Sequence, residues 1–336
     1  MELKTINKEV AKRTERVTLR HFITESGTEL SAIRIFYHSW GKLNSRADNV
    51  IWICHGLTAD SNAAAWWPGL IGPGKTFDTN KYFIICPNTP GSCYGSSTPK
   101  ELKSAADLPD KKNLKITARD IANMFDLMTV QLGIKQIHIL TGPSIGGFLA
   151  LEWAIANTLP VKKLALVATS YYASPWNIAI NETQRMAINR QNKKAGLATA
   201  RAIAMLSYRS AEAYNSTQQG KNEMNEFYAA TYQQYQGEKL VKRFSPDAYE
   251  FMIDLFNSHD VSRKNTDAHA ALSKVNIPVL VIGFTHDNLF PPREQHQLAE
   301  MIPGATLQII ASDFGHDAFL TESRKVSAII KNKLNI

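Results

Sequence analysis

Residues 140–154 read LTGPSIGGFLALEWA, and how this stretch is read decides the fold. The run before it, QIHIL, is short and apolar with β-branched residues, as a strand requires. The run after it, IGGFLALEWAIAN, is long, apolar and rich in helix formers. Between them Gly142-Pro143-Ser144-Ile145-Gly146 matches G-x-S-x-G, a strand–turn–helix that forces its serine onto a sharp turn. Neighbours without a Cβ relieve the crowding there. The helix amino terminus beneath the serine favours developing negative charge. A glycine-rich junction built only for close packing has the same letters, so the pentapeptide alone leaves Ser144 a nucleophile or a spacer.

Working outward, RVTLRHF and SAIRIFYHSW alternate like half-buried strands and predict an antiparallel start. Denser runs follow in NVIWICHG, KYFIICPN, IKQIHILTG and VKKLALVATS, and again near the end in IPVLVIGF and ATLQIIAS. Such runs fit strands covered on both faces by helices. ARDIANMFDLMTVQLG has the spacing of an amphipathic helix ending at a glycine, and RKVSAIIKNKL closes the chain as another. The alternation predicts an α/β fold with a mostly parallel sheet. From about residue 171 to 265 no strand is evident and helix-prone segments dominate. We therefore expect a core of residues 1–170 and 266–336 interrupted by a helical insertion over 171–265, placed to cover a site at the strands' carboxyl ends. Within it Met224, Tyr228, Tyr232 and Tyr235 fall at helical spacing and are expected to be packing surface.

Composition bounds the function class. The 336 residues are 44% hydrophobic and 20% charged, an ordinary globular balance with enough chain for a large core. The net charge of +8 is dispersed, densest in DKKNLK and RQNKKAG, without the interleaved aromatics of a nucleic-acid surface. Solvated faces are expected there, with attraction of an anionic small molecule as the alternative. Cys54, Cys86 and Cys93 match no metal spacing and suit reduced thiols in a cytoplasmic protein. The opening MELKTINKEVAKRTERV lacks the apolar core of a signal peptide, and no apolar run approaches a membrane span, so neither a membrane nor a nucleic-acid partner is expected.

A serine hydroxyl needs a base, and the base needs orienting. In the architecture of this motif the chain order is Ser, Asp or Glu, then His. THDNLFPP follows VLVIGF and puts Asp287 just past a strand end, while DFGHDAF follows LQIIAS and puts His316 beyond the last strand. Ser144, Asp287 and His316 thus share one sheet edge as candidate nucleophile, orienting acid and base. His286 adjoins Asp287 and should point away from it, and His259 and Asp260 fall in the insertion with no strand to fix them. Oxyanion donors are expected from the Ile145 amide and from the Leu57 amide of HGLTA, with His55 bracing that turn.

With these motifs on the page, the chain resembles the homoserine O-acetyltransferase family of the α/β-hydrolase fold. The resemblance rests on HGLTADS, WWPGLIGPGKTFDTNKYFIICPN, CYGSSTP, GPSIGGFLALEWA, DNLFPP and GHDAFLTE, in order along the core, and on AGLATARAIAMLSYRS in the insertion. It implies an eight-stranded, mostly parallel sheet with helices on both faces and an inserted helical lid. It implies transfer of acetyl from acetyl-CoA, through an acyl-serine, to homoserine, giving O-acetylhomoserine for methionine synthesis. No metal or redox cofactor is implied; acetyl-CoA is a substrate. Arg201 and Tyr208 match family residues that contact the amino acid, and Asp317 matches the one that holds its amine. A bidentate guanidinium suits an α-carboxylate, and a carboxylate suits an α-ammonium. A homodimer through the lid helices is also implied. The chain departs from the family at Pro143 and Ile145, at HGLTA, and in a shorter lid. These departures leave open a serine hydrolase with the same triad, succinyl-CoA as donor, or serine as acceptor.

Overall fold

The computed structural model describes residues 12–110, 114–190, 192–263 and 267–336. The opening segment through residue 11, residues 111–113 of DKKNLK, residue 191 of RQNKKAG and the boundary at 265/266 lie outside the described residues.

All eight strand-like runs form strands: β1 (Lys12–Ile23), β2 (Glu29–Trp40), β3 (Val50–Ile53), β4 (Phe83–Pro87), β5 (Ile137–Pro143), β6 (Leu164–Val167), β7 (Val279–Phe284) and β8 (Thr306–Ile310). They make one sheet in the order β1-β2-β4-β3-β5-β6-β7-β8. Strand β2 runs antiparallel to β1 and β4, and the remaining pairs are parallel. Every residue of β3, β4, β6 and β7 is buried, which is why these strands read as unbroken apolar runs.

The helices are α1 (Ala63–Trp66), α2 (Pro99–Ala105), α3 (Ala118–Gln131), α4 (Ile145–Ala156), α5 (Pro175–Arg190), α6 (Lys193–Tyr208), α7 (Ala211–Thr217), α8 (Tyr228–Val241), α9 (Pro246–Asn257), α10 (Ala268–Leu272), α11 (Pro292–Met301), α12 (Ala318–Thr321) and α13 (Ser323–Lys333). Alternation along β3 separates two cores. Val50 and Trp52 face Phe125 of α3, Phe148 of α4 and Leu298 of α11, whereas Ile51 and Ile53 face Trp67 and the Val326 and Ile330 of α13. Helices therefore cover both faces of the sheet.

Helices α5 to α9 lie between β6 and β7, and the two ends of this insertion meet. Tyr172 and Asp260 form an antiparallel bridge, the Ala173 amide donates to the His259 carbonyl at 2.8 Å, and the Val261 amide donates to Tyr171 at 3.1 Å. The aromatic stripe expected inside the insertion is only partly a packing surface. Met224 precedes α8 in a turn whose Met224 and Glu226 amides donate to the Asn222 side chain at 3.0 and 2.9 Å. Met224, Tyr228 and Tyr235 are 77%, 45% and 55% exposed, and Tyr232 alone of the four turns toward the protein.

Helix α4 is anchored by a buried carboxylate. Glu152 accepts from Arg119 Nε at 2.9 Å and from Arg263, and meets His259 Nδ1 at 3.1 Å. The His259 ring stacks on Phe148 at 4.0 Å, and its Nε2 faces the Ser170 carbonyl at 3.3 Å. His259, expected to have no strand to fix it, is held instead by these side-chain contacts as a buried tie between the end of the insertion and α4. Burial would push the Glu152 carboxyl up, but His259 and then Arg263 outweigh it and hold it at about 2. A carboxyl held low in the folded chain stabilises it fully above its unfolded pKa, and that stability disappears as pH falls toward the folded value. Glu152→Gln should destabilise the protein by about 3 kcal/mol at neutral pH. In denaturant titrations its deficit should close between about pH 5 and pH 2; a deficit independent of pH would count against the ionic anchor.

Candidate active site

Ser144 follows β5 with φ 56° and ψ −128°, a conformation that a residue with a side chain rarely adopts and that costs about 1–3 kcal/mol. Three hydrogen bonds hold it there. Its amide donates to Val167 at 3.0 Å, and its carbonyl accepts from the Gly147 amide at 2.8 Å and the Thr169 hydroxyl at 2.9 Å. Gly146 is required by close approach: a Cβ there would lie 2.1 Å from the Cys54 carbonyl oxygen. This is the strained turn that the pentapeptide predicted.

Asp287 follows β7 and is nearly fully buried. Its Oδ1 accepts the Leu289 and Phe290 amides at 2.9 and 2.8 Å, and its Oδ2 meets His316 Nδ1 at 2.9 Å. With three donors converging on it, the carboxylate has one orientation. His316 sits in a short turn after β8, its ring packed against Tyr208, Phe290 and Phe319 with centroids 5.4–5.7 Å away. The preceding Gly315 has φ 63°, and a Cβ on it would press on the His286 carbonyl and the Ser210 amide at 3.0 Å. With Nδ1–H given to Asp287, Nε2 is the ring position left to accept a proton. His286 turns away as expected, its Nδ1 3.0 Å from the Ser312 carbonyl.

The loop after β3 supplies the opposite wall. His55 Nδ1 donates to the Gly56 carbonyl at 2.8 Å and its Nε2 accepts the Thr89 amide at 3.0 Å, an assignment in which each nitrogen has one role. Burial lowers the pKa of His55, so it stays neutral and braces the turn. Arg243 grips the other side of the loop through the Thr58 carbonyl and the Tyr94 hydroxyl. Among the described residues the Leu57 and Ile145 amides donate to no protein acceptor. Two unsatisfied donors beside a candidate serine nucleophile are placed to receive an oxyanion.

These walls enclose a cavity of about 450 Å³ lined by Leu57, Ser144, Arg201, Tyr208, His316 and Asp317, with Trp66, Lys239, Arg243, Phe319 and Leu320. Sequence reading had named the first six but not Lys239 or Arg243, which α8 and its end carry in from the insertion. Arg201 lies 5.2 Å from the Tyr208 ring centre and has no ionic partner among the described residues. Burial raises the Tyr208 phenol above its ordinary pKa against the pull of Arg201, so it remains a neutral hydroxyl. Asp317 pairs with Arg209, a residue that sequence reading also passed over, at 3.2 Å. A larger groove of about 970 Å³ beside α2 and α9 contains none of these residues.

Comparison with known proteins places this geometry. Residues 49–323 match the alpha/beta hydrolase fold family. The chain is 39% identical over 319 residues to a homoserine O-acetyltransferase of Cyclobacterium marinum, covering 92% of this chain and 91% of the relative. It superposes on a homoserine O-acetyltransferase from Staphylococcus aureus with a TM-score of 0.84 at 28% identity, covering 97% and 96% of the two chains. Esterase E22 shares the fold at a TM-score of 0.86 and 19% identity, covering 96% and 100%. Ser144→Ala should abolish acyl-enzyme formation, and Asp287→Asn should lower turnover about 10³-fold or more by leaving the imidazole unoriented. Trapping of the enzyme by an acyl donor, read by intact mass, checks both; an adduct surviving in Ser144→Ala would remove the nucleophile.

Proposed function

Because the chain belongs to the homoserine O-acetyltransferase family of the α/β-hydrolase fold, we propose that it transfers an acetyl group from acetyl-CoA to L-homoserine in two half-reactions through acetyl-Ser144. The observation that carries this reading is the cavity itself. It joins Ser144 and His316 to an unpaired guanidinium, Arg201, and a carboxylate, Asp317. Opposite charges on two walls suit a zwitterionic amino acid whose hydroxyl is brought to the serine.

In the first half-reaction His316 Nε2 takes the Ser144 proton as Oγ attacks the thioester carbonyl. The Leu57 and Ile145 amides receive the oxyanion. The tetrahedral adduct collapses, the C–S bond breaks, and the CoA sulfur leaves with the proton from His316. In the second, the homoserine hydroxyl gives its proton to His316 and attacks the acetyl carbonyl. The same amides hold the oxyanion, and the Ser144 oxygen leaves and regains the proton. Asp287, hydrogen-bonded to Nδ1, orients the ring and stabilises the imidazolium in both directions. Arg201 clamps the α-carboxylate with Tyr208 beside it, and Asp317 faces the α-ammonium. No step draws on a metal or a redox group. The product is an activated O-acetyl ester, suited to sulfur substitution on the way to methionine.

Helices α5 to α9 act as a lid that keeps water from the acyl-enzyme. Leu206 on α6, with Phe227, Tyr228 and Tyr235 on or beside α8, leaves an apolar surface more than 40% exposed at each position, which supports a homodimer through the lid. Three cysteines, all free and two of them buried, suit a cytoplasmic address. Among the described residues no helix is long and apolar enough to cross a membrane.

Thiol release from acetyl-CoA should depend on homoserine and exceed release with serine or water alone. Acceptor-independent release together with fast cleavage of a nitrophenyl ester would instead mark a hydrolase, and preference for succinyl-CoA would change the donor. Arg201→Ala should raise the KM for homoserine about 30-fold while acyl-enzyme formation stays within about 3-fold. Sedimentation should give a dimer that Leu206→Asp converts to monomer; a wild-type monomer at micromolar concentration would sink the lid interface.

A further inference from the structure

Arg201 and Arg209 lie eight residues apart, on α6 and at its end, and they are used differently. Arg201 lines the cavity. Arg209 stands behind Asp317, its Nε 3.2 Å from Asp317 Oδ2, with side chains 19% and 16% exposed. Its guanidinium carbon lies 4.9 Å over the Tyr232 ring, and that ring meets Tyr214 edge-on at 6.0 Å. Its amide is tied to the Met205 carbonyl at 3.1 Å. Among the described residues Arg209 has no other carboxylate partner, and the Asp317 carboxylate has no other donor.

The cavity sets a problem that this pair answers. Arg201 and Asp317 carry opposite charges on walls of one small, partly dehydrated space, where attraction between charges is strong. Left to themselves they would close on each other and occupy the seat of a zwitterionic acceptor. A nearer cation, held by its own ring contact, keeps Asp317 back while leaving Oδ1 without a protein donor. We propose that Arg209 is a positioning residue for the acceptor. It acts through Asp317, holding that carboxylate apart from Arg201 so that its free oxygen meets the substrate ammonium. This rests on the reading of the cavity as an amino-acid site given above.

The test uses the full chain with acetyl-CoA and two acceptors, homoserine and the amine-free 4-hydroxybutyrate. Arg209→Gln should lower kcat/KM for homoserine about 30-fold, mainly through KM, and leave the acyl-enzyme burst within about 2-fold. Its preference for homoserine over 4-hydroxybutyrate should collapse, and Arg209→Lys should recover most of that preference. In an Asp317→Asn background Arg209→Gln should add less than about 2-fold, since the two act as one unit. Equal losses in both half-reactions, an unchanged homoserine KM, or additive losses in the double variant would overturn the role. If Arg209→Gln does not fold, Arg209→Lys decides through the same acceptor ratio, which must fall measurably below wild type. A wild-type protein that uses homoserine no better than 4-hydroxybutyrate refutes the amino-acid reading itself, and Arg209 loses its function with it.

Discussion

Where α4 leaves β5, the backbone of Gly146 presses against the Cys54 carbonyl, and the site is assembled around that contact. It brings the end of β3 against the start of α4 more closely than any side chain would permit. Ser144 is caught between them in its left-handed conformation, with Val167 and Thr169 of the next strand and its loop holding its amide and carbonyl. The two free amides, Leu57 and Ile145, come from opposite sides of the same contact. Strain of about 1–3 kcal/mol at one residue is offset locally by three hydrogen bonds. The Glu152 anchor does the same for the helix as a whole, tying α4 to α3 and to the end of the insertion.

What could be read from the sequence was local. Each strand has its own apolar run, Ser144 has its glycines, and Asp287 and His316 each lie in the loop after a strand, so nearness along the chain gave away their place. What escaped was made by pairing across long separations. Glu152 meets Arg119, His259 and Arg263 from far along the chain, and no spacing rule links them. Arg209 stood next to Tyr208 in the sequence, but its partner is 108 residues away. Arg243 reaches Thr58 across 185 residues. Met224 was misread because helical spacing alone does not mark where a helix starts; the Asn222 turn does. His259 has no strand beside it in the sequence, yet contacts with Glu152, Ser170 and Phe148 hold it.

In the proposed function the triad is indifferent to what finally accepts the acyl group, because a base of this kind can deprotonate any hydroxyl brought to it. Discrimination in that reading lies in charges that never touch the scissile bond. Asp317 is the residue after His316, so the proposed base and the proposed ammonium partner share one tight turn after β8. A displacement of that turn moves both together. Arg201, by contrast, arrives on α6 from the insertion, so the cavity straddles two parts of the chain.

The bridge between Tyr172 and Asp260 gives that division a further meaning. The chain leaves the core and returns to it through what is in effect a hairpin stem, zipped by Ala173 and Val261 on either side. The ends of the insertion are thus already closed by the core, and lengthening or shortening what lies between them costs only the slow logarithmic entropy of a larger loop. The core sees a socket of constant width. Between its ends the insertion still reaches back to the core, through Tyr208 on the His316 ring and Arg243 on the Thr58 carbonyl, so a change in its length is cheap only where these contacts are kept.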